Sequence, residues 1–288
     1  MHNNNYLKLI FLISKVLINI YFIGGVILNF SYKLGIDIGS TTIKLVVLDK
    51  DNQVVYKKYM RHLSEIYKSM HDNMILLSDT LKNHKFTCAI TGSAGMGMAN
   101  NLNMPFVQEV IACSKAVKNW IPQTDVAVEL GGEDAKITYF GSAPEQRMNG
   151  VCAGGTGSFI DHMASLLNTD AMGLNELAQK GTQIYTIASR CGVFAKTDVQ
   201  ALLNDGVSKA DIALSILQAV VNQTIGNLAQ GRPLEGNIAF LGGPLYFLTQ
   251  LKERFIKTLK LTDEHIVNVD DGCYFVAMGC ALSIMRLK

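Results

Sequence analysis

The chain has 288 residues, of which 49% are hydrophobic and 17% are charged, a composition that excludes a disordered or fibrous protein. Its length is sufficient for two domain-sized lobes, each with its own core. Residues 1–30 contain Lys8, Lys15 and no acid, so the remainder has 24 basic residues (26 − 2) against 24 acidic ones. A body without a dense basic stripe argues against nucleic acid as a partner.

Residues 1–31 form an apolar N-terminal extension that we set apart from the fold. The stretch from Leu9 to Phe30 is long enough to cross a membrane, and no A-x-A-like cleavage site follows it. The first predicted strand begins only a residue or two later. Two interpretations stay open, a membrane or interfacial anchor through residues 9–30 and an artefactual upstream extension.

The first half is predicted to open with three strands, at residues 32–38, 42–49 and 53–60. The link from Asp49 to Asn52 has the composition of a hairpin turn. Apolar residues at steps of three and four, beginning at Leu63 and ending at Leu81, then predict a helix. A strand at 86–91, a glycine-rich loop and a helix over 108–120 complete this half.

At Asp125 the order of elements starts again. A strand ending in glycines (VAVELGG) and its hairpin partner (AKITYF) precede a long helix over 209–228. A strand at 237–241, a helix, a strand at 265–269 and a helix over 274–285 follow. Two such βββαβα-like halves predict an α/β protein with the duplicated fold of actin, hexokinases and Hsp70, which is ribonuclease H-like, with a nucleotide cleft. We predict a first ATPase lobe at 32–122 and a second at 123–288.

The segment GIDIGSTTIK, residues 35–44, is the sharpest local signal. Gly39 at the turn lets backbone N–H groups approach phosphate oxygens, and Lys44 could reach a terminal phosphate. Asp37 is placed to hold Mg²⁺ through water. Hydroxyl donors come from the next three residues, Ser40, Thr41 and Thr42. The alternative is an ordinary hairpin with a polar turn.

Two further glycine loops are predicted in the second half. Gly131 and Gly132 lie between Glu129 and Glu133, two acids that could position Mg²⁺ or the attacking water. In the third loop, the pair Gly242 and Gly243 follows a short apolar strand and fits an adenosine moiety; the alternative is a plain strand-to-helix turn. The sequence contains no GxxxxGK[ST] and no strand–GxGxxG–helix unit, which excludes a P-loop and a dinucleotide fold.

The six cysteines form no CxxC pair, so zinc ribbons, thioredoxin-type sites and ferredoxin-like runs are unsupported, and we expect a reducing, cytoplasmic location. Cys152 and Cys191 each precede a predicted helix, where the helix dipole and free N–H groups stabilise a thiolate. Two thiolates cannot hold a cubane cluster that needs four, whereas a two-fold dimer supplies two plus two. The alternative is two buried structural thiols. The other cysteines are assigned to the core: Cys88, Cys113, Cys273 and Cys280.

Taken together, these residues closely resemble the activator ATPases of 2-hydroxyacyl-CoA dehydratases, a family that includes the ATP-binding subunits of benzoyl-CoA reductase. The resemblance covers about residues 33–287 and rests on five motifs matched in order: GIDIGSTTIK, ELGGEDAK, NGVCAGGTGSF, SRCGVFAKTD and FLGGP. The form ELGGEDAKITYF further resembles the longer multidomain members, which makes this chain a candidate module of such a protein.

The resemblance implies a homodimer with one 4Fe-4S cluster, whose ligands map onto Cys152 and Cys191, and nucleotide contacts from the three glycine loops. Such a protein receives an electron from ferredoxin or flavodoxin. It then uses ATP and Mg²⁺ to drive that electron into a 2-hydroxyacyl-CoA dehydratase component.

Two features depart from the family. Its second loop more often has Asp and Gln where this chain has Glu129 and Glu133, and an extra carboxylate is expected to slow hydrolysis or alter Mg²⁺ placement. The hydrophobic leader is also unlike the usual start. A small-molecule kinase and a non-catalytic nucleotide-binding module of the same fold are the alternative functions.

Overall fold

A computed structural model describes residues 32–81, 86–149 and 154–284, which fall into two compact units. The second unit is Ile121–Cys273, and the first contains the described residues up to Trp120 together with those from Tyr274 onward. The second lobe was predicted to run from 123 to 288. This prediction differs from the structure at its end, because the last helix clusters with the first unit. The predicted extension at 1–31 lies outside the described residues.

The first unit is built on a four-stranded sheet of order β3-β2-β1-β4. Strand β2 pairs antiparallel with β1, and β4 pairs parallel with it. Most residues of β1, β2 and β4 are buried, which explains why they read as nearly continuous apolar runs. The elements are β1 (Tyr32–Ile38), β2 (Thr42–Leu48), β3 (Val54–Arg61), α1 (Ile66–Thr80), β4 (Phe86–Thr91), α2 (Gly95–Leu102) and α3 (Glu109–Trp120).

Two predictions for this unit are wrong in detail. Leu63 was predicted to lie on the buried face of a helix, but it precedes α1, has φ of +46° and is 81% exposed. The predicted glycine-rich loop after β4 contains helix α2. Glycine disfavours a helix, yet α2 buries Met98 and Ala99 in the core of the unit, so tertiary packing overrides the local propensity.

The second unit repeats this plan with a sheet of order β7-β6-β5-β8, in which β8 runs parallel to β5. The predicted strand at 265–269 is wrong: only an isolated bridge joins Ile266 to Ile238 there. The elements are β5 (Val126–Leu130), β6 (Ala135–Tyr139), β7 (Glu145–Met148), α4 (Gly157–Leu166), α5 (Ala171–Ala178), α6 (Gly192–Asn204), α7 (Lys209–Thr224), β8 (Ile238–Leu241), α8 (Gly243–Phe247) and α9 (Thr249–Leu259).

The two sheets correspond strand for strand. In each, an antiparallel hairpin is followed by a third antiparallel strand, and the strand that opens the unit pairs in parallel with a later one. This is the duplicated α/β architecture that the sequence predicted.

One helical stretch among the described residues, Lys209–Ala229, is long and apolar enough to cross a membrane. It consists of α7 and the π-helical turn Ile225–Ala229. Because 78% of its most apolar window is buried inside the protein, it has the character of a core helix.

The last helix, α10 (Phe275–Leu282), packs on β1 and on α3 in the first unit. A glycine lies at each of these two contacts. A Cβ on Gly279 would lie 1.7 Å from the carbonyl oxygen of Ala112, and a Cβ on Gly35 would lie 2.0 Å from that of Ala277. Backbone atoms cannot yield like a flexible side chain, so glycine is required at both contacts.

Gly279→Ala is therefore expected to lower the free energy of unfolding by about 3 kcal/mol, at the upper end of overpacking effects. The matched control is Gly97→Ala in α2, where a Cβ would meet no atom within 4 Å. There the change should raise stability by about 0.5–1 kcal/mol, since alanine is the better helix former. Urea denaturation of both variants measures this, and effects of the same sign would contradict the packing described here.

Candidate functional site

Loop 1 (residues 39–41) joins β1 to β2 at the end of a buried acid–lysine pair. The N–H of Gly39 donates to the carbonyl of Thr42 at 2.9 Å, which closes the turn. Asp37 and Lys44 are paired across the two strands, and the Nζ of Lys44 lies 3.0 Å from Oδ2 of Asp37. Their side chains are only 7% and 14% exposed, so little solvent screens this ion pair.

The backbone carbonyls of loop 1 are held by hydrogen bonds, whereas two of its N–H groups are available. The carbonyls of Gly39 and Thr41 both accept hydrogen bonds from His62, the residue after β3. Within the described part of the chain, the N–H groups of Ser40 and Thr41 donate to no other protein group. A turn whose carbonyls are held and whose N–H groups are available is suited to binding an anion.

Loop 2 (residues 131–134), between β5 and β6, has the same construction. The N–H of Gly131 donates to the carbonyl of Asp134 at 2.8 Å. The carbonyls of Gly131 and Gly132 accept the N–H groups of Gly157 (3.0 Å) and Ser158 (2.7 Å), at the start of α4. As in loop 1, the N–H groups of two successive residues, here Gly132 and Glu133, have no acceptor among the described residues. The side chain of Glu133 is exposed.

Loop 2 also repeats the buried acid–lysine pair, which the sequence analysis missed. Lys136 is only 3% exposed; it contacts the carboxylate of Asp134, and its Nζ lies 3.6 Å from Oε1 of Glu129. The signal that could have revealed it is spacing, because each acid precedes its lysine by seven residues (44 − 37 and 136 − 129). Charge on Glu129 is therefore balanced within the protein, as it is on Asp37.

Loop 3 (residues 242–244) lies beside the end of β5. Gly242 has φ of +88°, and a Cβ there would lie 2.1 Å from the carbonyl oxygen of Leu130, so only glycine fits. Its N–H donates to the carbonyl of Gly272 at 3.0 Å, and Gly243 begins α8. The structure therefore brings loop 3 next to loop 2. The adenosine contact of Gly242 and Gly243 stays a prediction.

Cys191 lies at the N-terminus of α6. A helix was predicted to follow this cysteine, and it begins at Gly192, directly after Cys191. Hydrogen bonds from the backbone N–H groups of Phe194 and Val193 hold the pKa of Cys191 below its usual value. The thiolate is thus favoured at this half-buried position, as a metal ligand requires.

The described chain that follows the second predicted ligand packs against the residues just before Cys191. Cys152 itself lies outside the described residues. Gly154, two residues later, is packed so closely that a Cβ would lie 3.0 Å from the carbonyl oxygen of Ser189 and 3.2 Å from that of Arg190. Ala188, the residue before Ser189, donates its N–H to the carboxylate of Asp198 in α6 at 2.7 Å.

The remaining cysteines behave as the sequence predicted. All four are buried: Cys88, Cys113, Cys273 and Cys280. Burial raises the pKa of Cys88 well above its usual value and that of Cys280 to about 12, which leaves both thiols protonated and inert. Within residues 32–81, 86–149 and 154–284, no group of three or more His, Cys, Asp or Glu side chains could hold a metal ion.

Two matching sheets, in each of which the first strand ends with an acid and a glycine turn, have the fold of ATPases of the actin and hexokinase type. The likeness extends, for the fold alone, to a ROK family glucokinase from Streptomyces griseus (TM-score 0.50, 12% identity, 87% of this chain and 98% of that one). More specifically, the chain belongs to the BadF/BadG/BcrA/BcrD ATPase family, which matches residues 34–282.

A relative in sequence and a solved structure, both from Acidaminococcus fermentans, are similar to this chain. The (R)-2-hydroxyglutaryl-CoA dehydratase activating ATPase is 29% identical over 225 residues, covering 74% of this chain and 82% of that protein. The crystal structure of (R)-2-hydroxyglutaryl-CoA dehydratase component A superposes with a TM-score of 0.77 at 26% identity, covering 87% of this chain and 96% of that one. The family predicted from the motifs is confirmed.

Proposed function

We propose that this protein is an ATP-dependent activator of a 2-hydroxyacyl-CoA dehydratase or a related acyl-CoA reductase. It couples ATP hydrolysis to the transfer of one electron at low potential. Membership of the ATPase family and likeness to a dehydratase activating ATPase support the proposal. The observation that carries it is the direct bonding of loop 2 to Gly157 and Ser158, which begin the helix that follows Cys152. Few residues therefore separate the candidate phosphate loop from the candidate cluster ligand.

ATP is the proposed ligand of the three glycine loops, with Mg²⁺. The available N–H groups of loops 1 and 2 would bind phosphate oxygens, and Lys44 lies beside loop 1, since a Cβ on Gly39 would be 3.8 Å from its Nζ. Asp37 and Glu129, each beside a lysine, would hold Mg²⁺ through water, as this ion prefers. In this scheme Glu129 and the exposed Glu133 are the residues that orient the attacking water.

A 4Fe-4S cluster shared by a homodimer is the proposed redox group, with Cys152 and Cys191 of each chain as its ligands. Two features suit the residues to it: the lowered pKa of Cys191, and the contact of Gly154 with the chain just before Cys191. When bound, the cluster supplies one-electron transfer. Val193 and Phe194, which follow Cys191, are 71% and 65% exposed, and an isologous interface at this end of α6 would cover them.

The proposed partners follow from the same scheme. A 2-hydroxyacyl-CoA dehydratase component accepts the electron, and ferredoxin or flavodoxin supplies it, in the cytoplasm. The acyl-CoA substrate binds the dehydratase and not this chain, so its identity is determined there.

Gly39→Ala tests nucleotide binding without disturbing the fold. A Cβ at Gly39 would lie 3.5 Å from its nearest protein atom, the carbonyl oxygen of Thr42, which is an ordinary contact. The melting temperature should therefore stay unchanged. If phosphate oxygens approach this turn, however, the methyl group should weaken binding of the non-hydrolysable analogue ADPNP at least tenfold, about 1.4 kcal/mol.

Isothermal titration with ADPNP and Mg²⁺ measures the difference. Gly141→Ala is the control, because a Cβ there meets no atom within 4 Å and the residue lies outside all three loops. Equal affinities for the two variants and the unaltered protein would contradict phosphate binding at loop 1.

A further inference from the structure

His62 holds loop 1 at two points. Its ring Nε2 lies 3.1 Å from the carbonyl oxygen of Gly39, and its own N–H donates to the carbonyl of Thr41 at 3.2 Å. The side chain is buried, with 4% exposure, so these bonds are made away from competing water. No sequence motif marks this histidine, because it lies after β3 and not in a glycine loop.

The hydrogen bonds also define which ring nitrogen carries the proton. The backbone N–H of Ser64 donates to Nδ1 at 3.1 Å, so Nδ1 must be an unprotonated acceptor. A carbonyl oxygen can only accept, so Nε2 must donate to Gly39. One neutral tautomer satisfies both contacts.

The turn after His62 maintains this tautomer. Leu63 and Ser64 have φ of +46° and +63°, a conformation that residues other than glycine rarely adopt. The turn is closed by the N–H of Glu65, which donates to the carbonyl of His62 at 2.7 Å. Leu63 gains no burial, since it is 81% exposed. The turn directs the N–H of Ser64 at the imidazole ring of His62.

The second unit achieves the same arrangement by other means. In loop 2, the carbonyls of Gly131 and Gly132 are held by the first N–H groups of α4. In loop 1, the side chain and backbone of His62 bind the carbonyls of Gly39 and Thr41 instead. In both loops the outcome is a turn with two available N–H groups.

We propose that His62 is the positioning residue of loop 1. Its Nε2–H holds the carbonyl of Gly39 away from the ligand and so keeps the N–H groups of Ser40 and Thr41 directed at the nucleotide phosphates. This inference rests on the proposed function, because it requires loop 1 to bind a nucleotide.

The test compares His62→Gln with His62→Asn. The amide nitrogen of glutamine can take the position of Nε2 and donate to Gly39, whereas that of asparagine reaches only the position of Nδ1. We expect His62→Gln to bind ADPNP within about twofold of the unaltered protein and His62→Asn to bind about tenfold more weakly. His71→Asn on α1 is the control and should bind normally, because the ring of His71 lies 3.2 Å from the exposed Asp72, away from loop 1.

Affinity and folding are measured separately, by isothermal titration with ADPNP and by thermal melting. Both His62 variants should melt below the unaltered protein, so a merely structural role predicts that their affinities fall together or not at all. Either result would overturn the positioning role of His62 without contradicting nucleotide binding by the unaltered protein. If the asparagine variant does not fold, His62→Phe takes its place as the variant without a donor. Failure of the unaltered protein to bind ADPNP would refute the proposed function itself, and this inference with it.

Discussion

Cys191→Ser is expected to abolish binding of the proposed 4Fe-4S cluster. A 4Fe-4S cluster shared by two chains gives about two iron atoms per chain, and a cluster limited to two thiolates is not retained. The structure places Cys191 where two backbone N–H groups stabilise its thiolate, and serine offers a far more basic oxygen to the same groups. Anaerobic purification followed by iron and sulfide analysis should give close to zero of each, with the loss of the brown colour.

Nucleotide binding separates this effect from misfolding. Cys191 is half-buried and lies outside the three glycine loops, so the variant should bind ADPNP as the unaltered protein does. Cys88→Ala is the matched control, since it removes a buried thiol from β4 and should keep the iron even if stability falls. Full iron content in Cys191→Ser would refute the assignment of Cys191 as a cluster ligand.

The parts of the fold that were predicted from the sequence are those in which local pattern and burial agree. Strands β1 and β4 have the predicted bounds, because each is a buried apolar run enclosed by turn residues. The segment at 265–269 (HIVNV) also has the composition of a short strand, yet only an isolated bridge from Ile266 forms there. A strand needs a neighbour to pair with, and no local pattern reveals whether one is present. The position of α10 was missed for a similar reason, since its packing on β1 joins residues far apart in the chain.

The residues of the candidate site also fall into those that the sequence predicted and those that it missed. Glycines and acids at strand ends were found because the residue types themselves indicate phosphate and Mg²⁺ chemistry. His62 and Lys136 were missed because an isolated histidine or lysine has no such signature. Their contribution depends on a carbonyl orientation in one case and on cross-strand register in the other. Both features appear only when the chain is folded.

Lys136→Met is expected to destabilise the second unit strongly. The lysine side chain is 4% exposed and neutralises two carboxylates, Glu129 and Asp134, which are 13% and 35% exposed. Removing one partner of a buried ion pair typically costs 3–5 kcal/mol, because the remaining charge is left without compensation. Since Asp134 retains some solvent, we expect about 3 kcal/mol in the free energy of unfolding. Lys180→Met, at an exposed position, should change it by less than about 0.5 kcal/mol.

A second substitution identifies the cause. In the double variant Lys136→Met, Glu129→Gln, one of the two uncompensated charges is gone, so about half of the lost stability should return. ATP hydrolysis should be absent from the double variant, because the proposed reaction needs the carboxylate of Glu129. If the double variant is no more stable than Lys136→Met, the loss comes from packing of the lysine stem and not from charge. Lys136 would then stabilise the strand pair β5–β6 by the packing of its side chain. Glu129 would contribute to the proposed reaction and not to the stability of loop 2.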